Sequence, residues 1–490
     1  MKYDYDLAVI GGGAAGLTAA GIGANFGART IMVESDQLGG DCTWYGCVPS
    51  KTLLHAAKIA ETMKQAKQFG ADIGDASLDF SRVMQHIRNV RQKVYQEADH
   101  PDHFREMNID VEFGKASFVD KHTIEITESE SRQTISSRYL IIATGSRARV
   151  PSIPGLDNVP YLTNETLFEL ENQPSSLAII GGGPIGIEMA QAFQRLGTDV
   201  TVIDRLPHIL DNDNKELAGM LQDRLQREGV DFKLSASVNE VVQENGQIII
   251  QGEREGKSEQ WSADKLLVAT GRVPNNEQLN LDAAGIDYTK HGITIDDRCR
   301  TSVQHIYAAG DVTGRFQFTH MSEHMAKISA TNALLKIPLK IDSRHVPWST
   351  YTAPELAHVG ATEKSLIEEG TSYEEYRFPY DKIDRAVTDN ETEGLIKLFA
   401  KKRTGRILGA SIFGVHAAEL ISEYALAMKN GVTLRKMADT IHPYPSYSLG
   451  ARRAADQWYV KSQSEWLTKL IQKIFRYRGK LPDLDEDRIM

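Results

Sequence analysis

Cysteine is scarce: three in 490 residues. Three thiols cannot build a disulfide framework, and a close pair in a chain expected to stay in the cytoplasm points to redox chemistry or a metal. Long apolar runs are also missing. Nothing approaches the roughly 18 residues that a membrane-spanning helix needs, and the start MKYDYDLAVI lacks the basic-then-apolar order of a signal peptide. Positive charge is in deficit, with 56 Lys and Arg against 66 Asp and Glu, a net −10 that opposes non-specific attraction to nucleic acid. Low-complexity sequence is absent, and 39 Gly with 16 Pro exclude collagen and wholesale disorder. What remains is a globular chain too long for one core, for which about three domains are expected.

Its organising feature is a duplicated motif. YDLAVI breaks into GGGAAG, a small-residue helical stretch follows, and a second apolar run ends at Glu34. Gly11, Gly13 and Gly16 have the spacing that tightens a strand-to-helix turn, brings backbone close to a pyrophosphate and presents helix N–H groups to it, while Glu34 can accept both hydroxyls of a ribose. The same pattern returns as Gly181, Gly183 and Gly186, with Asp204 standing 23 positions after Gly181 as Glu34 stands 23 after Gly11. Two dinucleotides are implied. Each half closes on a strand ending in ATG, at Gly145 and at Gly271. The first half is longer because it carries an insertion with the cysteines and two polar helical stretches between about residues 48 and 98.

Punctuation and periodicity divide the chain. The expected units are a first dinucleotide domain with the cysteine loop over 1–150 and a second dinucleotide domain over 151–272. A central segment over 273–345 completes the first, a sheet-plus-helix domain covers 346–460, and a helical extension covers 461–490.

GGDCTWYGCVPSK, residues 39–51, is the most informative stretch. Pro49 suits the first turn of a helix, which places Cys47 near a helix N-terminus, where the dipole favours thiolate. Lys51, one turn on, adds positive charge. A zinc site would need two further ligands that the neighbourhood lacks, so no metal is assigned. Two unrelated buried thiols remain the plain structural alternative.

At this point the chain resembles the FAD-dependent pyridine nucleotide-disulfide oxidoreductases of the glutathione reductase, dihydrolipoamide dehydrogenase and mercuric reductase group. The likeness reaches to about residue 460 and rests on GGGAAG, GGDCTWYGCVPSK, ATGS, GGGPIGIE, ATGRVPN, AAGDV, YTAPELAHVG and HAAELISEYALAMKNG. It implies an α/β fold of two Rossmann-like domains, one for FAD and one for NAD(P), plus a C-terminal α+β domain that makes a homodimer. It further implies that Asp311 binds the flavin ribityl chain, that Glu34 binds the adenosine ribose, and that Gly114, Thr144 and Gly145 line the FAD. Cys47 would face the flavin, Cys42 would exchange with substrate, and Lys51 would pair with Glu188 beside the flavin ring. Asp204 favours NAD(H) over NADP(H), since a carboxylate repels a 2′-phosphate, although Arg205 next to it leaves NADP(H) open.

Three departures stand out. Where the family has a His and, five residues on, a Glu as the acid–base dyad, this chain has Tyr444 and Leu449 within IHPYPSYSL. His442, two residues earlier, is read as a packing or interface residue or as a displaced base. Tyr444 is a poor base near neutral pH, but its hydroxyl suits binding of a substrate or metal ion. Second, no cysteine follows Cys299, so the C-terminal pair of mercuric reductases is missing. Third, Asp41 stands where Thr is common, and its charge should disfavour the Cys42 thiolate.

The extension carries Trp466, Leu467, Leu470, Ile471, Ile474 and Phe475 on one helical face with basic residues around it. It reads as a helix packed on the dimerisation domain or as one lying on an anionic membrane surface. The leading functional reading passes electrons from NADH through FAD and the Cys42–Cys47 disulfide to a small disulfide-type or other oxidised acceptor. A second sends them from the flavin to a metal ion, quinone or oxidant, as in mercuric reductase. The third is a redox-sensing binding protein docked to a membrane.

Overall fold

The computed structural model describes residues 2–74, 77–462 and 465–480. They form two compact units, the described residues of 1–207 with 228–341 and those of 208–227 with 342–480. Residues 208–227, expected in the second dinucleotide domain, group with the C-terminal unit.

The first unit holds two main sheets, a mixed one of seven strands with a parallel centre and a parallel one of five. In the larger, strand Tyr5–Ile10 lies between Thr30–Glu34 and Ser131–Ile142, with Ile109–Phe113 beyond Thr30–Glu34 and Ile306–Ala308 beside Ser131–Ile142. These strands are apolar on both faces because helices cover both sides of a parallel sheet. Helix Ala14–Asn25 packs against helix Thr319–Leu335. The smaller sheet repeats the theme, with Ser176–Ile180 between Asp199–Ile203 and Lys265–Val268, all parallel. A three-stranded antiparallel sheet, 236–263, joins the apolar core of this half.

The second unit is a five-stranded antiparallel sheet, including Glu355–Gly360, Leu395–Ala400 and Ile407–Gly414. Helices Ala417–Lys429 and Ser448–Ser462 close its core through residues such as Leu420, Ile421, Tyr424, Ala451 and Ala454. The architecture is the α/β fold of paired dinucleotide-binding halves and a C-terminal α+β domain.

Candidate active site: two carboxylate-closed glycine loops and a cysteine pair

Both glycine loops sit at the carboxyl ends of their parallel strands, where ligands bind in such sheets. Gly11 has φ +108°, and a Cβ there would lie 2.3 Å from the Ala143 carbonyl oxygen. Gly181 repeats this with φ +121° and the Ala269 carbonyl at 2.3 Å. Each loop is pinned by its predicted acid: Gly12 N–H donates to Glu34 at 2.6 Å and Gly182 N–H donates to Asp204 at 2.5 Å. Gly13 and Gly183 are the N-caps of their helices and offer no capping side chain, which leaves the first-turn N–H groups aimed at an anion. Gly16 and Gly186 allow each helix to approach the loop, since a Cβ at either would strike the Gly11 or Gly181 carbonyl.

The other residues expected around the first nucleotide converge on the same sheet edge. Gly114 N–H donates to the Glu34 carbonyl at 2.8 Å. Thr144 donates to the Asn275 carbonyl at 2.7 Å, and Asn275 N–H donates to the Gly145 carbonyl at 3.0 Å. Asp311 follows strand Ile306–Ala308, and burial pushes its carboxyl up while Ser146, donating at 2.6 Å, and Arg272 pull it back. Gly271 accepts from Arg149 N–H at 2.9 Å at the second edge. A close-approach glycine cradle, an uncapped helix start and a buried carboxylate fit an FAD held by the first loop.

Cys42 lies in the short helix Gly40–Trp44 and Cys47 begins helix Cys47–Gln65. Their loop is braced from behind: Thr43 donates to Asp99 at 2.7 Å, and Arg91 donates to the Trp44 carbonyl at 2.9 Å. A hydrogen bond from the Cys42 thiol, then the Thr319 hydroxyl 3.4 Å away and the Lys51 ammonium, hold the Cys47 thiol down to about 6 against its burial. The same bond, burial and the Cys47 charge push Cys42 well above its ordinary value, and Asp41 adds the smallest of these effects. Helix Cys47–Gln65 packs on helix Pro184–Leu196, which brings Lys51 Nζ to 2.9 Å from Glu188 Oε2 as predicted.

The second unit holds His442 and Tyr444. His442 Nε2 is 2.8 Å from Glu423 and Nδ1 is 3.0 Å from the Thr440 carbonyl, so both ring nitrogens already face acceptors. Glu423 and the Thr440 carbonyl thus fix the orientation of the His442 ring. Tyr444 is exposed, and its hydroxyl bonds to Asp384, which raises its phenol further and removes it as a base. Sequence reasoning missed Thr319, Arg272, Ser146 and Asn164; of these Arg272 and Ser146 carried a signal, as the Arg of ATGRVPN and the Ser of ATGS.

The paired loops and thiols define a flavoprotein of the dinucleotide-dependent reductase class. Residues 5–326 match the pyridine nucleotide-disulphide oxidoreductase model and residues 346–455 match the dimerisation domain of that group. The chain belongs to the pyridine nucleotide-disulphide oxidoreductase family; it is an oxidoreductase, and FAD is the family's flavin. Mercuric reductase of Staphylococcus aureus is 35% identical over 453 residues, 92% of this chain and 82% of that protein. Dihydrolipoyl dehydrogenase of Bacillus subtilis (strain 168) is 33% identical over 468 residues, 93% and 98% of the two chains. Among solved structures, the Cu(II) complex of the HOCl-induced flavoprotein disulfide reductase RclA from Escherichia coli superposes with TM-score 0.83 at 31% identity, covering 94% of this chain and all of that one.

Proposed function

We propose that the protein is a homodimeric, NADH-dependent FAD oxidoreductase that reduces a small oxidised acceptor through Cys42 and Cys47. The observation that carries this reading is a pair of thiols of opposed acidity beside the Lys51–Glu188 ion pair. Bound FAD, held by Gly11, Gly13, Gly16, Glu34 and Asp311, supplies electron-pair exchange between NADH and the disulfide. The second loop, with Asp204, takes the nicotinamide nucleotide. Opening the disulfide takes up two electrons and one proton, leaving Cys47 as thiolate and Cys42 as thiol. Lys51, fixed by Glu188, keeps positive charge beside that thiolate.

A second reading sends the electrons to a metal ion. The family's His and Glu positions hold Tyr444 and Leu449, so the acid–base dyad that serves disulfide exchange is missing. A thiophilic Hg(II) or two Cu(II) ions would take the two electrons of NADH, giving Hg(0) or two Cu(I) together with NAD⁺ and one proton; the mercuric reductases and the RclA–Cu(II) complex support that class. A sensing role without turnover has no observation in its favour.

The test is anaerobic NADH oxidation with lipoamide, Hg(II), Cu(II) or a quinone, for the native protein and Cys47→Ser. Metal-dependent turnover lost in Cys47→Ser supports the reading. Rapid lipoamide turnover returns the protein to the dithiol dehydrogenases, and unchanged turnover in Cys47→Ser takes the thiols off the route.

A further inference from the structure

The dimerisation match ends at residue 455, and the chain continues into a second helix with different surroundings. Helix Ser448–Ser462 buries Gly450, Ala451, Ala454, Ala455 and Gln457 in the core of its unit. Helix Glu465–Phe475 buries none of its described side chains. The first helix falls within the expected 346–460 domain but for its last two residues, and the second lies in the expected 461–490 extension.

At about 100° per residue, Trp466, Leu467, Leu470, Ile471, Ile474 and Phe475 share one half of the helix, while Lys469, Gln472 and Lys473 share the other. Large apolar groups stay in solvent: Trp466 is 71% exposed, Ile474 61% and Phe475 62%. Isolated exposed hydrophobics are ordinary, but a contiguous aromatic and aliphatic stripe marks an interaction surface. Lys469, Lys473, Arg476, Arg478 and Lys480 are all exposed, and no acidic residue occurs from 466 to 480.

We propose that helix Glu465–Phe475, with the following Arg476–Lys480 segment, docks flat on an anionic phospholipid surface. Charge selects this occupant. The helix lies outside the region matched to the dimerisation domain, residues 346–455. Phosphate headgroups complement the cations, while Trp466, Ile474 and Phe475 enter the headgroup and acyl boundary. At about 16 Å long the helix is half the roughly 30 Å of hydrocarbon it would need to cross. No helix among the described residues is long and apolar enough to span a membrane.

The experiment is sedimentation of the FAD-loaded full chain with vesicles of phosphatidylglycerol and phosphatidylcholine in equal parts, beside phosphatidylcholine alone. Residues 481–490 carry four acidic side chains, so a chain ending at Lys480 is run alongside and is expected to bind at least as tightly. Binding should be at least about tenfold tighter to the anionic vesicles and should weaken at about 0.5 M salt. It should fall at least about tenfold in Ile474→Glu/Phe475→Glu and in Lys469→Ser/Lys473→Ser. Retained flavin and its bleaching by NADH establish that each variant is folded. Absent binding, equal binding to both vesicles, or variants that bind like the native chain overturn the proposal. So does a halved particle mass in the apolar variant, which would make the helix a contact between copies.

Discussion

The Asp41 carboxylate, one residue before Cys42, lies 3.0 Å from the Arg272 guanidinium. Asn164 donates to the same oxygen at 2.9 Å, and Arg272 continues through Ser146 at 2.7 Å to Asp311. The acid that replaces the usual Thr is thus compensated by a cation from the end of the second dinucleotide half.

That relationship predicts opposite shifts from its two ends. Asp41→Asn removes a negative charge near the thiols and should lower the Cys47 pKa below about 6. Arg272→Met leaves Asp41 less compensated and should raise it, each by roughly half a unit. The check is the pH dependence of iodoacetamide alkylation of Cys47 in the reduced protein, followed by mass mapping. Unchanged midpoints in both variants would show that Asp41 is electrostatically silent.

The Lys51–Glu188 pair is asymmetric, with side-chain exposures of 37% and 6%. Lys51→Met takes a cation away from a buried carboxylate, whereas Glu188→Gln leaves an ammonium that water can reach. Lys51→Met should therefore cost about 2 kcal/mol, discounted from the value for a fully buried pair because Lys51 is solvated, and Glu188→Gln about 1. Thermal midpoints of the flavin-free proteins give the order. Equal losses would place the pair's worth in its hydrogen bond and not in desolvation.

The C-terminal unit contains two buried groups that titrate against each other. Burial pushes the Asp213 carboxyl up to about 6, although it accepts from Trp348 Nε1 at 2.9 Å. Burial pushes His358, whose ring lies 4.3 Å from that of Trp348, down to about 4. A raised folded-state carboxyl contributes stability below its unfolded value near pH 4 and loses it as pH rises through about 6. A lowered folded-state imidazole does the reverse, losing stability as pH falls from its unfolded value near 6.5 through about 4. Each is worth about 3 kcal/mol, so across pH 4 to 6 the two slopes nearly cancel. His358→Asn should unmask a stability that falls with rising pH in that window, and Asp213→Asn one that rises. Thermal midpoints against pH give both slopes, and parallel curves for the two variants would sink the idea.

The legible parts were those where local backbone geometry dictates residue type. Gly11 to Glu34 and Gly181 to Asp204 share one spacing because a tight turn, a helix and a returning strand have fixed lengths. The cysteine loop was legible for the same reason, with Pro49 marking the helix start. Pairs made by tertiary packing were not. Asp41 meets Arg272 from 231 positions away, Cys47 meets Thr319 from 272 away, and His442 finds Glu423 on a neighbouring helix. No period or motif encodes such meetings. The missing dyad was visible in sequence, but that His442 is occupied on both nitrogens needed the coordinates.

Asp204 offers the sharpest test of nucleotide choice. One carboxylate oxygen accepts from Gly182 N–H and the other from Leu206 N–H at 2.7 Å, so the side chain both shapes the loop and presents negative charge at the strand end. Asp204→Asn keeps an oxygen for Gly182 while removing the charge, which separates the two roles. On the proposed reading, in which the ribose hydroxyls of NADH would donate to Asp204, the loss of charge should weaken NADH and relieve repulsion of a 2′-phosphate. The ratio of kcat/KM for NADH over NADPH should then fall about tenfold, a change of about 1.4 kcal/mol. Arg205 is exposed, and Arg205→Ala should leave the native ratio within about twofold. If Arg205→Ala instead abolishes NADPH oxidation while Asp204→Asn changes nothing, the guanidinium reads the nucleotide and the preference for NADH fails.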